Sequence, residues 1–214
     1  MNKKIVIFDM DGVLIDSEVA SREYMMGVYP TMTAEAHKEL LCGNFHEEMQ
    51  KFKLTNDAKP ETPEEKEARQ AAYAQKKLDC GLYEGIYDLV KELHTQGYIL
   101  VVNTSAIERN SLPLLEKTGV SELFDFIATG EVSKSKVEKF AIIAEKYNAE
   151  VSDMLFVTDT LGDIREADTA HVPTVAVTWG AHDEAFFSRE QHENLKGVVD
   201  SVGGLKQFIK EYFT

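Results

Sequence analysis

Cysteine is scarce, basic residues are outnumbered, and no long hydrophobic run occurs anywhere in the 214 residues. The two cysteines, Cys42 and Cys80, lack the spacing of a metal site. A chain of this length needs no disulfide to fold, so both are expected to be free thiols. Lys and Arg number 23 against 37 Asp and Glu, leaving a formal charge of −14 and a pI near 4.9. That balance removes any bulk attraction for a nucleic-acid backbone. It does not exclude a phosphorylated substrate, because a bound divalent cation reverses the local field. No apolar stretch approaches membrane-spanning length. Lys3 and Lys4 followed by Ile5 have the outline of an export signal, but Asp9 and Asp11 end the apolar stretch far too early. The expectation is a cytoplasmic protein with neither a nucleic-acid nor a membrane partner. There is no internal repeat and no low-complexity segment.

What is present begins at the N-terminus. Ile5-Val6-Ile7-Phe8 has the pattern of a strand buried on both faces, and it ends in Asp9-Met10-Asp11-Gly12. Side chains alternate along an extended chain, so Asp9 and Asp11 share one side and converge on a single cation or phosphoryl group. Two carboxylates held that close repel, which raises one pKa unless a metal or a proton relieves them. Gly12 lets the backbone turn sharply after them.

Past Ser17 the apolar rhythm becomes helical. Residues 18–29, 33–41, 45–54 and 63–78 read as four helices. Thr62-Pro63-Glu64-Glu65 supplies a cap hydroxyl, a first-turn proline and acids near the positive end of the dipole. Residues 16–84 are therefore expected to form a small helical insertion. After it, strands at 98–103, 125–129, 154–158, 172–177 and 198–200 alternate with helices at 87–94, 109–117, 136–147, 163–170 and 204–212. Such alternation predicts an α/β fold, a Rossmann-like parallel sheet formed by 1–15 and 85–214. Ligands in such sheets sit at the carboxyl ends of the strands, and Asp9, Thr104 and Asp159 each follow one.

Asp9-Met10-Asp11-Gly12-Val13-Leu14 resembles the first motif of the haloacid dehalogenase-like superfamily, in its phosphatase branch with a helical cap, the group of phosphoglycolate phosphatases and β-phosphoglucomutase. The resemblance implies that Asp9 is a nucleophile attacking phosphorus and that Asp11 protonates the leaving oxygen, then deprotonates the attacking water. A carboxylate nucleophile splits one hard displacement into two easier ones. An acid at the position of Asp11 favours phosphate-ester chemistry over dehalogenation. Ile99 to Ser105 resembles the second motif, in which Thr104, with Ser105 beside it, holds a phosphoryl oxygen. Asn103 leaves a slip of one residue open. Thr129 to Lys136 supplies the lysine that neutralises Asp9 and the phosphate. Ungapped spacing to Phe140 and Asp159 favours Lys134, with Lys136 as the alternative. Leu155 to Ile164 resembles the fourth motif, implying Mg²⁺ held by Asp159, Asp163, Asp9 and the main-chain carbonyl of Asp11. Leu40 to His46 resembles the specificity loop of the cap, with Gly43 allowing close approach and Asn44 and His46 touching the leaving group. Trp179 and His182 read as loop packing.

The expectation is thus a Mg²⁺-dependent hydrolase acting on a small phosphorylated metabolite. Its rivals are a sugar-phosphate mutase of the β-phosphoglucomutase kind and a protein that binds phosphoryl ligands without turning them over.

Overall fold

Ile5–Phe8, fully buried at all four positions, forms the strand β1 around which the sheet is built. The computed structural model describes residues 3–214. The other strands are β2 (Ile99–Asn103), β3 (Phe126–Ala128), β4 (Met154–Thr158), β5 (Thr174–Val177) and β6 (Leu195–Val199). They lie in the order β3-β2-β1-β4-β5-β6, with every neighbouring pair parallel. This is the α/β, Rossmann-like sheet expected from the sequence. The helices are α1 (Glu18–Val28), α2 (Ala34–Leu40), α3 (Phe45–Lys53), α4 (Pro63–Leu78), α5 (Ile86–Thr95), α6 (Glu108–Lys117), α7 (Lys136–Tyr147), α8 (Leu161–Thr169), α9 (Glu184–Phe187) and α10 (Val202–Tyr212).

Strand alternation divides the sheet's apolar residues between its two faces. Val6, Phe8, Leu100, Val102, Leu155 and Val157 pack with residues of α5, α6 and α10. Ile5, Ile7, Val101, Met154 and Phe156 pack on the other face with Phe140 and Ile143 of α7 and Ala167 of α8. A parallel sheet buried this way requires near-continuous apolar strands, and that is how the strands read in the sequence.

The helices α1 to α4 stand between β1 and α5. They gather an apolar cluster of their own around Met25, Val28, Tyr29, Met32, Leu40 and Met49. An antiparallel bridge between Ile15 and Leu82 ties the way in to the way out. α4 starts where the sequence predicts, with the Thr62–Glu65 capping box complete and Pro63 in the first turn. α9 was not anticipated: it is one short turn, capped by the side chain of Asp183 on the amides of Ala185 and Phe186. Both cysteines are free thiols. No helix among the described residues is long and apolar enough to cross a membrane.

Strand order reverses at β1, whose neighbours are β2 and β4. Phe8 is in register with both Val102 and Val157, so the three strands end level with one another. Such a reversal opens a crevice beyond the strands' carboxyl ends.

Candidate active site

Asp9 leaves β1 as its last buried step. Its amide donates to the Val157 carbonyl at 2.9 Å, which fixes the backbone. Its Oδ1 accepts from the Met10 amide at 2.8 Å and faces the Lys136 ammonium at 3.0 Å. Burial pushes the Asp9 carboxyl up to about 7, against the pull of Lys136 and with help from the charges of Asp163 and Asp11.

The lysine at Asp9 is Lys136, which corrects the assignment of Lys134 from ungapped spacing. Lys136 opens α7 and is almost wholly buried, with Nζ 2.6 Å from Asp163 Oδ2. Burial alone would lower its pKa, but the charges of Asp163 and Asp9 raise it above the ordinary value. Lys134 precedes the Ser135 cap of that helix and is exposed. Asp163 is likewise not a free carboxylate: its Oδ2 accepts from both Lys136 and the Thr158 hydroxyl, the latter at 2.7 Å.

Asp159 follows β4 and is about 1% exposed. One oxygen, Oδ2, accepts from the Ala181 amide at 2.8 Å; the other, Oδ1, is buried with no hydrogen-bond partner. Burial first, and the charge of Asp9 second, push this carboxyl well above the usual range. Two glycines make room around it. A Cβ on Gly12, whose φ is +79°, would stand 1.9 Å from Asp159 Oδ2, and one on Gly180 would stand 2.3 Å away. An orphaned carboxylate oxygen beside a second buried carboxylate is the donor set of a hard cation. No three His, Cys, Asp or Glu side chains among the described residues converge tightly enough to enclose one. The protein's share is therefore small.

Asp11 faces the helical insertion. Its carboxylate accepts from the Ser17 hydroxyl and from the ammonium of Lys77, 2.8 Å away. Lys77 lies near the end of α4 and is 5% exposed, and Asp11, with Tyr73 after it, raises its pKa against the effect of burial. The sequence reading missed Lys77.

Thr104 is buried at the end of β2, its hydroxyl accepting from the Ala106 amide at 3.0 Å. Its carbonyl accepts from the buried ammonium of Lys139 at 2.7 Å. Lys139 was also missed; burial, then the charge of Lys136, push its pKa down to about 8. Thr104 and Ser105 both line the cavity at the strand ends, as do Asp9, Asp11, Asp159, Asp163 and Lys136.

Of the three residues expected in the specificity loop, the structure brings one to the cavity. Gly43 lines it; Asn44 and His46 do not. Asn44 is the cap of α3, accepting from the amides of His46 and Glu47. Its amide group spans to the core, donating to the Lys134 carbonyl at 3.0 Å and to Glu166 at 3.1 Å. Asn44 thus ties the helical insertion to the sheet. The Leu41 carbonyl continues that tie by accepting from the Gly162 amide at 2.9 Å. His182 forms another. Its Nδ1 accepts from the Leu161 amide at 2.9 Å, which leaves Nε2–H to donate to the Lys38 carbonyl at the same distance. His182 is therefore more than loop packing. Trp179 packs as expected, donating to the Val13 carbonyl at 3.3 Å.

Known proteins resemble this chain in sequence and in fold. A phosphoglycolate phosphatase of Pseudomonas syringae is 27% identical over 194 residues, covering 83% of this chain and 70% of that protein. One from Aliivibrio fischeri is 28% identical over 199 residues, covering 83% and 85%. Among solved structures, CbbY from Rhodobacter sphaeroides in complex with phosphate superposes with a TM-score of 0.72 at 21% identity, covering 95% of this chain and 99% of its own. A hydrolase from Pseudomonas syringae gives 0.78 at 16% identity, covering 98% and 99%. Residues 6–177 match the family model described as haloacid dehalogenase-like hydrolase, and the chain belongs to that family.

Proposed function

We propose that the chain is a phosphatase that releases inorganic phosphate from small phosphorylated metabolites through a covalent aspartyl-phosphate on Asp9. The observation that carries this reading is the division of labour between the two acids at the end of β1. Asp9 is buried against Lys136, whereas Asp11 turns toward Lys77 and Ser17 of the insertion. This division supports giving attack to the first carboxylate and proton transfer to the leaving group to the second.

Asp9 attacks phosphorus, and the ester P–O bond breaks as Asp11 gives its proton to the departing alkoxide. Asp11 then takes a proton from a water that attacks the phosphorus of the acyl phosphate, and the bond to Asp9 breaks. Lys136 holds positive charge beside Asp9 throughout, which offsets repulsion between a carboxylate and an anionic ester. Asp163 keeps that ammonium in place. The Thr104 hydroxyl, with Ser105, receives a phosphoryl oxygen, and Lys139 braces the Thr104 carbonyl. Asp9 and Asp159, with the Asp11 main-chain carbonyl, would hold Mg²⁺, which would neutralise the phosphoryl oxygens and the two buried carboxylates. Mg²⁺ keeps several waters in its octahedral shell, so this sparse ligand set suffices. Residues 16–84 act as a cap over the core of 1–15 and 85–214, excluding water from the acyl phosphate.

Phosphate release from a panel of phosphorylated metabolites with Mg²⁺ present tests the reading. Isomerised sugar phosphate without net phosphate release identifies a mutase, and binding without turnover identifies a phosphoryl-ligand receptor.

A further inference from the structure

The cavity over Asp9 continues well into the helical insertion and has a volume of about 390 Å³. That lies toward the lower end of the range for small-molecule pockets, about 300–1,000 Å³. On the insertion's side it is lined by Tyr24, Met25, Leu41, Phe45 and Tyr73, with the Tyr24 and Tyr73 rings stacked at 4.1 Å. Among the described residues two ammonium groups line the cavity, and each already has carboxylate partners. Lys136 is held by Asp9 and Asp163, and Lys77 by Asp11. The insertion thus brings two charged groups to the lining, Lys77, which Asp11 already holds, and an acid, Glu18. Both oxygens of Glu18 accept from Arg22 Nη1, at 2.9 and 3.0 Å, and Arg22 itself does not line the cavity.

His37 supplies a second observation. It is 3% exposed, lines the cavity, and has an Nδ1 with no hydrogen-bond partner. The Glu18 carboxylate is 4.0 Å away, beyond hydrogen-bond reach. Burial, then the charges of Arg22 and His182, push His37 down to about 4, so its ring is neutral at neutral pH. A buried imidazole that lines a cavity and has an unpartnered nitrogen calls for a polar group on whatever fills it.

We infer that the cleft selects phosphate monoesters whose leaving group is uncharged and bears a hydroxyl, and rejects those whose leaving group bears a carboxylate. This rests on the phosphatase reading above. A carboxylate driven into this side would lose its water, meet Glu18 and find no uncommitted cation. A hydroxyl can donate to the His37 ring or accept from it, whichever tautomer the ring adopts. Apolar surface on the same leaving group covers the tyrosine and leucine side chains.

Two esters of nearly equal size isolate the charge: 2-hydroxyethyl phosphate and 2-phosphoglycolate. With Mg²⁺ and the full chain, kcat/KM for the neutral ester should exceed that for the carboxylate ester by about tenfold or more. Glu18→Gln removes the acid and frees Arg22 from its ion pair, so the ratio should fall by about tenfold. His37→Phe should lower the ratio too, by raising KM for the hydroxyl ester. A wild-type ratio at or below parity overturns the inference, as does a ratio that neither substitution moves. p-Nitrophenyl phosphate serves as the control. Inactivity on all three esters defeats the phosphatase reading itself, whereas activity with 2-phosphoglycolate preferred defeats only the selection by charge.

Discussion

The Lys136 ammonium lies 3.0 Å from Asp9 Oδ1, and no other lysine salt-bridges that carboxylate among the described residues. Lys136 sits on the first turn of α7 with its ammonium over the Phe156 ring, 5.2 Å from the ring centre. Lys134, two residues earlier, is exposed, and its carbonyl is occupied by Asn44.

Lys136→Ala should therefore leave a near-inactive enzyme, with kcat down by about 10²–10³ as for the loss of one preorganised electrostatic group. Lys134→Ala should stay within about threefold of wild type, since surface substitutions rarely reach the chemistry. Steady-state kinetics on one ester compares the two. The reverse pattern would return the catalytic place to Lys134.

This distinction was legible in the sequence, though spacing was the wrong signal for it. Lys136, Lys139, Phe140 and Ile143 form the stripe i, i+3, i+4, i+7 of a helix, and all four are buried. A stripe holding two lysines marks them as inward-facing, and Lys134 falls outside it. The strands and the acids at their ends were legible because β1, β2 and β4 are short apolar runs that stop abruptly. Lys77 was not legible: one lysine near the end of an amphipathic helix looks like any solvated lysine until the fold brings it to Asp11. Asn44 carried a cap signal, asparagine ahead of Phe-His-Glu-Glu, and it caps α3.

Asp11→Asn should cost most with alkyl esters, whose leaving oxygen needs a proton, and least with p-nitrophenyl phosphate. Comparing single-turnover rates on the two esters confines the readout to phosphoryl transfer. Equal losses would mean that Asp11 acts through its contacts with Ser17 and Lys77.

Metal binding should be visible without any substrate. Burial and the charge of Asp9 push the Asp159 carboxyl up, a penalty that a bound cation offsets, and Mg²⁺ at about a hundred times its Kd should add ~2.7 kcal/mol. Asp159→Asn should abolish that Mg²⁺-induced rise in Tm. It should also raise the metal-free Tm, because it removes a buried charge. A gain of about 1 kcal/mol corresponds to roughly 2–4 °C in a chain of this size. Calcium should bind and inhibit, since it accepts more oxygens at longer distances and would hold both oxygens of Asp9. Full activity in chelator would remove the metal from the account.

Acid should destabilise the fold partly through His37. An unfolded histidine takes up its proton near 6.5, whereas His37 in the fold does so only near 4. Between those values the unfolded state binds more protons, so stability is lost as pH falls through the window. The slope approaches about 1.4 kcal/mol per pH unit for one group. Denaturant titrations of wild type and His37→Gln from pH 7 to 4.5 should show a shallower acid decline in the variant. Parallel curves would mean that His37 takes up a proton in the fold as easily as outside it.

The covalent intermediate on Asp9 is the most direct test of the mechanism. Enzyme quenched during turnover and treated with borohydride should have its acyl phosphate reduced to an alcohol, converting Asp9 into homoserine. Peptide mass spectrometry should find that change at position 9, in the presence of ester and Mg²⁺ and not without them. Reduction at any other carboxylate, or an active enzyme whose position 9 remains unmodified, would contradict Asp9 as the nucleophile.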